Sequence, residues 1–278
     1  MNERTLNKRI IFITGASRGI GRAIALKCAS EGANIVIAAK SDEPHPTLSG
    51  TIHSVAKEVE DAGGQALALK VDVRDEAQVQ AAMKQAADHF GGIDVLVNNA
   101  GAISLTPVET TPVKKYDLMN QINSRAVFVC SQAALPYLKK SEGGGHILNL
   151  SPPLNLNEKW LKPYAAYTLS KYGMTILTLG MASEFKRYNI AVNSLWPRTT
   201  IATAALASVG GKSLNAKSRK PEIMADAARE IFVTPDRLLT GQVLLDEDLL
   251  RERGMTNFVP YACDPENADN LFPDLFLD

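Results

Sequence analysis

Tyr167 and Lys171 stand four residues apart in the stretch Tyr167-Thr168-Leu169-Ser170-Lys171. Four residues is just over one turn of an α-helix, so on a helix both side chains share one face. A free phenol titrates near pH ~10 and is a poor proton donor or acceptor at neutrality. A neighbouring ammonium favours the phenolate and draws that pKa down. Of the seven tyrosines, Tyr167 alone has a lysine four residues later. The pair is a candidate acid–base unit. The same spacing also arises on ordinary helix faces, so the surrounding chain has to decide between the two.

A second chemical signal is the glycine-rich run Thr14-Gly15-Ala16-Ser17-Arg18-Gly19-Ile20-Gly21, which follows the apolar segment Ile10 to Thr14. Glycines permit a tight turn and a close approach of backbone N–H groups to a pyrophosphate, and the helix start that follows favours an anion. Gly15, Ser17, Arg18, Gly19, Ile20 and Gly21 are therefore candidate cofactor contacts. The spacing is Thr-Gly-x-x-x-Gly-x-Gly, a widened form of the Gly-x-Gly-x-x-Gly turn. At the end of the next apolar run stands Ala39-Lys40-Ser41, where an NAD-binding site usually places an acid on the ribose hydroxyls. Lys40, together with Arg18, suits a 2′-phosphate instead, so NADP(H) is expected over NAD(H). Asp72 and Val73 end the third apolar run, and the Asp72 carboxylate could accept from an adenine amino group or cap a turn. Asn98-Asn99-Ala100-Gly101 ends the fourth, with Asn99, Ala100 and Gly101 placed to form a turn along the cofactor. Asn123 falls inside a helical stretch, where asparagine has poor propensity and calls for a functional reason.

Strand and helix patterns alternate along the chain. Strands are expected at Ile10 to Thr14, Asn34 to Ala39, Ala66 to Val71, Asp94 to Asn98, His146 to Leu150, Ile190 to Leu195 and Gln242 to Leu245. Helices are expected at Arg22 to Ser30, Thr51 to Asp61, Asp75 to His89, within Asp117 to Leu138, at Pro163 to Tyr188 and at Pro221 to Ile231. This order implies right-handed βαβ units and a parallel sheet covered on both faces, with ligands beyond the carboxyl ends of the strands. The Tyr167–Lys171 pair then lies on the helix after the fifth strand.

Thr14-Gly15-x-x-x-Gly19-x-Gly21, Asp72, Asn98-Asn99-Ala100-Gly101, Asn123 and Tyr167-x-x-x-Lys171 occur in the order found in the short-chain dehydrogenase/reductase family, which the chain resembles over roughly its first 200 residues. The resemblance implies a doubly wound (Rossmann), mostly parallel seven-stranded α/β sheet and a nicotinamide cofactor. It implies that Tyr167 exchanges the proton, that Lys171 holds the nicotinamide ribose and lowers the Tyr167 pKa, and that Asn123 orders a water in the relay. It places Pro197 against the nicotinamide. Ala38-Ala39-Lys40, Asn149-Leu150-Ser151-Pro152-Pro153, Leu195-Trp196-Pro197-Arg198-Thr199 and Phe272-Pro273-Asp274-Leu275-Phe276-Leu277-Asp278 resemble one branch of that family. Longer members of that branch carry an added sterol-carrier-like domain, which is not expected in this chain.

Three departures stand out. Most members end the fifth strand in two serines, the second binding the substrate carbonyl. Here Ser151 takes the first place and Pro152 the second. Proline offers neither hydroxyl nor N–H. Ser151 is kept as a candidate catalytic residue, re-aimed by Pro152-Pro153. The alternative is an NADP-binding sensor or scaffold with weak or no reductase activity. Pro197-Arg198 replaces the usual Pro-Gly, and Arg198 could meet a carboxylate or phosphate at the pocket mouth. Leu244-Leu245-Asp246-Glu247 replaces the usual acid and two glycines.

The 278 residues are 45% hydrophobic and 22% charged, with a formal net charge of zero. That composition is that of a soluble globular chain, with no electrostatic footprint for nucleic acid and no apolar run long enough for a membrane span. The polar stretch Met1 to Arg9 is no secretory leader, and three scattered cysteines form neither a disulfide framework nor a metal site. One domain over 1–278 is expected, with 202–220 a substrate lid and 248–278 a C-terminal extension lying across the subunit or the substrate mouth. A cytoplasmic homodimer or homotetramer acting on a small carbonyl or alcohol completes the expectation.

Overall fold

The computed structural model describes residues 5–235 and 238–278, so the start of the stretch Met1 to Arg9 lies outside the described residues. Seven strands form one sheet in the order β3-β2-β1-β4-β5-β6-β7, every neighbouring pair parallel. They are β1 (Ile10–Thr14), β2 (Asn34–Ala39), β3 (Gln65–Lys70), β4 (Val95–Asn98), β5 (Gly145–Asn149), β6 (Ile190–Trp196) and β7 (Val243–Leu245). The strand order reverses between β1 and β4, which pair at Ile11–Val95 and Phe12–Leu96. In doubly wound sheets the ligand crevice opens at that reversal.

Alternation along each strand divides the core into two layers. Ile11, Ile13, Ile35, Ile37, Val95 and Val97 face one side. There they pack under α1 (Gly19–Ala29), α2 (Ile52–Asp61), α9 (Glu222–Val233) and α10 (Asp246–Glu252). Phe12, Val36, Leu96, Ile147 and Val192 face the other, under α3 (Glu76–Phe90), α5 (Ala126–Leu138) and α7 (Ala165–Phe185). Each such buried aliphatic side chain contributes about 1.5–3 kcal/mol relative to exposure, and near-complete burial on both faces explains why the strands read as apolar runs.

Four further helical pieces frame the site. Helix α4 (Val113–Asn120) continues through a π-helical turn, Gln121–Arg125, into α5. A short α6 (Glu158–Leu161) sits in the stretched connection between Ser151 and Tyr167. Helix α8 (Ala204–Gly210) lies within 202–220. On α7 the buried positions Tyr167, Lys171, Met174, Thr178, Met181 and Phe185 recur at three- and four-residue steps, so one stripe of the helix faces inward with the acid–base pair at its N-terminal end.

Candidate active site

The glycine-rich turn joins β1 to α1 with Gly15 at φ +67 and Gly19 at φ +57, a left-handed region that favours glycine. A methyl group on Gly21 would stand 2.5 Å from Asn99 Nδ2 and 2.9 Å from the Gly15 carbonyl, so the backbone there admits nothing larger than hydrogen. Asn99 explains that closeness. Its Nδ2 donates to the carbonyls of Thr14 (2.8 Å) and Gly15 (3.0 Å). Thr14 Oγ1 in turn accepts from the backbone N–H groups of Asn99 and Ala100, each at 3.0 Å. Asn99 and Ala100 thus fasten the end of β4 to the turn, and the sequence-predicted residues Gly15, Gly21, Asn99 and Ala100 meet in one place. Helix α1 begins with no side chain capping it, which leaves its first N–H groups directed at the crevice. This cradle fits a pyrophosphate-bearing cofactor.

Arg18 does not face the crevice freely. Its guanidinium donates to the carbonyls of Ser49 (3.0 Å) and Gly50 (2.9 Å), pinning the loop after β2 onto the turn. Ser17 and Val73 are buried, and Ile20 is packed against the core. Lys40 is 62% exposed and its ammonium lies 3.3 Å from Asp72 Oδ2. Asp72 is held mainly by Arg74, whose Nε is 3.0 Å from both carboxylate oxygens and whose second nitrogen is 2.6 Å from Oδ2. Those cations keep the Asp72 carboxyl well below the usual carboxylate range, Arg74 first and Lys40 after it. Arg74 is the cation that sequence reading passed over. Its signal was its place two residues past the acid that ends the third strand.

Asn123 lies in the π-helical turn and is fully buried. Such turns are rare and frequent at functional sites. Its side chain accepts from the Ala102 N–H (2.9 Å), donates to the Ala102 carbonyl (3.0 Å), and donates to Ser170 Oγ (2.8 Å). The amide therefore locks the segment after Gly101 to the helix that carries Tyr167. Ser151 is also fully buried, and its hydroxyl lies 3.0 Å from Thr175 Oγ1. Thr175 sits eight residues past Tyr167, roughly 12 Å along the helix axis at 1.5 Å per residue. Pro152 offers a carbonyl to the same Thr175 hydroxyl at 2.6 Å and no donor.

Lys171 is buried, with its ammonium donating to the Leu150 carbonyl at 2.7 Å and lying 5.0 Å from the centre of the Trp196 ring. Burial draws its pKa down to about 8, against the opposing pull of Asp274. The expected lowering of the Tyr167 pKa is not what this conformation holds. Burial raises the phenol above its ordinary value, and the Asp274 carboxylate adds to the rise. The stretch past β6 also differs from expectation. Pro197 is buried, while Arg198 turns its guanidinium onto Asp248 at 2.9 Å. The reason is the helix α10, whose acidic first turn stands beside it. Asp246 Oδ1 accepts from the N–H groups of Arg198 (2.8 Å) and Glu247 (2.7 Å), and Glu247 pairs with Arg219 and Arg251. Burial lifts the Asp246 carboxyl to about 6.

The extension 248–278, expected across the subunit or the substrate mouth, reaches the Tyr167 ring through Phe276, a contact the sequence did not specify. Phe276 stacks on the Tyr167 ring, with centroids 6.2 Å apart and planes 25° from parallel. The segment 202–220 reaches the glycine turn at Thr203, whose methyl would lie 3.4 Å from a methyl on Gly19. Among the described residues no group of His, Cys, Asp and Glu could hold a metal ion, and no helix is long and apolar enough to cross a membrane.

A family model described as short chain dehydrogenase matches residues 9–212. Hydroxysteroid dehydrogenase-like protein 2 of Bos taurus is 56% identical over 268 residues, covering 96% of this chain and 63% of that protein. The chain thus spans less than two thirds of that relative's length. A solved short chain dehydrogenase homolog from Mycobacterium thermoresistibile is 48% identical with a TM-score of 0.92, covering 99% of this chain and 96% of that one. Two more distant structures are complexes. A 7α-hydroxysteroid dehydrogenase with NADH and 7-oxo glycochenodeoxycholic acid shares 29% identity and a TM-score of 0.75, over 87% of this chain and 93% of its own. A metagenomic short-chain oxidoreductase with NADP shares 28% identity and a TM-score of 0.72, over 87% of this chain and 98% of its own. By its family match, its parallel sheet and its Tyr167–Lys171 face, the chain belongs to the short-chain dehydrogenase/reductase family.

Proposed function

We propose that this protein is an NADP-dependent oxidoreductase that interconverts a carbonyl and a secondary alcohol. The observation that carries the reading is the Tyr167–Lys171 pair on the inward stripe of α7, beside the carboxyl end of β5. When bound, the nicotinamide supplies or takes the hydride. The chain's residues do the rest. Gly15, Gly19, Gly21 and the open start of α1 hold the pyrophosphate. Tyr167 gives its proton to the forming alkoxide, or takes it from the alcohol in reverse. Lys171 holds the ribose and supplies a positive charge one turn away. Asn123 braces the loop and the helix that bear these groups. Lys40, with Arg74 near it, favours a 2′-phosphate, and for that contact Lys40 exchanges its partner Asp72 for the phosphate. The segment 202–220 serves as the lid and the chain 1–278 as one catalytic unit. The exposed face of α5 and α7 receives a second copy, giving a homodimer or homotetramer. The three free cysteines suit a reducing compartment such as the cytoplasm.

A second reading has its own observation. Pro152 presents only a carbonyl where a donor to the substrate oxygen is needed, and the Ser151 hydroxyl is turned to Thr175. A missing oxyanion donor costs on the order of 10²–10³ in rate. The protein would then bind NADP(H) with little turnover.

Purified protein with NADPH and a wide carbonyl panel separates the two. Consumption of NADPH that Tyr167→Phe lowers at least ~10³-fold, with NADPH affinity kept, supports the oxidoreductase. Tight NADPH binding with no consumption across the panel supports the sensor or scaffold. Unchanged turnover in Tyr167→Phe overturns the assigned role of the phenol.

A further inference from the structure

A proton-transfer tyrosine has to meet its substrate, yet Tyr167 is only 5% exposed. What covers it is the last stretch of the chain. Phe276 is 1% exposed and stands in a box of aromatic rings. Besides stacking on Tyr167, its ring lies 5.2 Å from that of Tyr172, 5.9 Å from Trp160, 6.0 Å from Trp196 and 6.3 Å from Tyr164. The box holds one phenyl group, directly against the ring that carries the reactive hydroxyl.

The way this ring is held matters as much as its place. Phe276 has φ +72, in the left-handed region that a bulky residue adopts only against strain. Its segment belongs to no strand of the main sheet and is joined by a single antiparallel bridge, Thr199 to Pro273, with the Asp274 N–H donating to the Arg198 carbonyl at 3.1 Å and the Thr200 N–H to the Phe272 carbonyl at 2.9 Å. The Trp196 indole N–H donates to the Leu275 carbonyl at 3.0 Å, and Asn155 Nδ2 donates to Phe276 O (3.3 Å) and Asp278 Oδ2 (2.9 Å). A half-exposed ion pair, Lys159 to Asp278, adds a surface tether. Past the bridge at Pro273, the ring sits on a strained backbone held by single hydrogen bonds and an exposed ion pair, so residues 275–278 can leave and return about that bridge as a hinge.

We propose that residues 275–278 are a removable plug, in which the Phe276 ring occupies the place of an apolar, ring-sized group borne by the carbonyl substrate, and that such a substrate displaces it. The substrate class is a ketone or aldehyde with an aryl or alicyclic group beside the carbonyl. This rests on the reading of Tyr167 as the proton-transfer residue. Displacement has a second effect. It removes the cover whose burial, ahead of the Asp274 carboxylate, raises the Tyr167 phenol.

The chain's two tryptophans, Trp160 and Trp196, both flank Phe276, so intrinsic fluorescence reads the seating of the plug directly. The test uses cyclohexyl methyl ketone as probe and acetone as a small control, on the parent, Phe276→Ala and Asn155→Ala. In the parent with NADPH, the ring ketone is expected to shift tryptophan emission to the red and raise acrylamide quenching, and acetone to do neither. Phe276→Ala is expected to show the shifted emission without ligand, and to bind the ring ketone at least ~10-fold more tightly with a matching fall in KM. Asn155→Ala, which loosens the tether and leaves the box intact, is expected to lie between. If Phe276→Ala does not fold, as judged by its melting curve, Asn155→Ala carries the comparison. A parent signal unmoved by the ring ketone, with KM equal or higher in the variants, shows Phe276 to be a fixed wall and overturns the proposal. If the ring ketone moves the signal and binds the variants more tightly while no protein consumes NADPH, the plug stands and the hydride-transfer reading fails.

Discussion

The Lys171 ammonium donates to the Leu150 carbonyl over 2.7 Å, tying the helix that bears Tyr167 to the residue just past β5. One contact thus fixes the position of the charge and links α7 to the end of β5. Burial holds this ammonium near a pKa of about 8, so it is the group in the site most easily switched off by a modest rise in pH.

Lys171→Met is therefore expected to lower kcat/KM by about 10²–10⁴-fold, through loss of both the ribose contact and the charge beside the phenol. In the parent, the carbonyl-reduction rate is expected to decline as pH rises through about 8, where the ammonium loses its proton. Steady-state rates between pH 6 and 10 check both, and a parent flat to pH 10 excludes Lys171 as the titrating group.

Asp274 gives a stability prediction of defined sign. Burial chiefly, and Asp246 beside it, raise its carboxyl to about 7, against the pull of Lys171 and the Leu275 N–H. The folded protein therefore binds this proton more tightly than the unfolded chain does. The stability contribution is present at low pH and is lost as pH rises from about 4 through about 7. Asp274→Asn removes that loss, so its Tm should gain on the parent's by about 3 °C or more between pH 5 and pH 8. A constant difference across that range would show that Asp274 titrates normally.

For cofactor choice, Lys40→Asp is expected to raise the Kd for NADPH about 10- to 100-fold while changing that for NADH only a few-fold. Titration calorimetry with each dinucleotide gives the comparison. Equal losses would move the discrimination to Arg74, whose guanidinium is engaged with the same Asp72.

The exposed side chains of Phe128 on α5 and Leu169, Ile176 and Leu179 on α7 form an apolar stretch, Ile176 being 61% exposed. Exposed apolar side chains of this kind suit an interface, and the proposed assembly places them against a second copy. Sedimentation of the parent is expected to show a dimer or tetramer, and Ile176→Glu to reduce its mass at unchanged far-UV circular dichroism. A monomeric parent would remove the assembly from the reading.

Much of this arrangement was legible in the chain. The seven strands fall within a residue or so of their expected limits, because parallel strands buried on both faces read as unbroken apolar runs, as in Ile35-Val36-Ile37. The Tyr167–Lys171 face followed from helical spacing taken together with its place on the helix after the fifth strand. Directions of side chains in loops did not. Ser151 read as a pocket residue, but its turn from β5 aims it at Thr175. Arg198 read as a substrate contact, but α10 begins at Asp246 and draws it away. That helix had a readable signal in the three acids Asp246, Glu247 and Asp248, which favour a helix start. Nothing in the spacing of Phe276 points to Tyr167, since no periodic pattern links segments so far apart in sequence.

The position of Phe276 near the end of this sequence has a consequence for synthesis. A chain emerges from the ribosome N-terminus first, and domains begin to fold as they emerge. The glycine turn, the paired β1 and β4, and the whole of α7 precede the residue that covers Tyr167. For the interval in which those elements have formed and residues 273–278 have not yet arrived, the aromatic box is open.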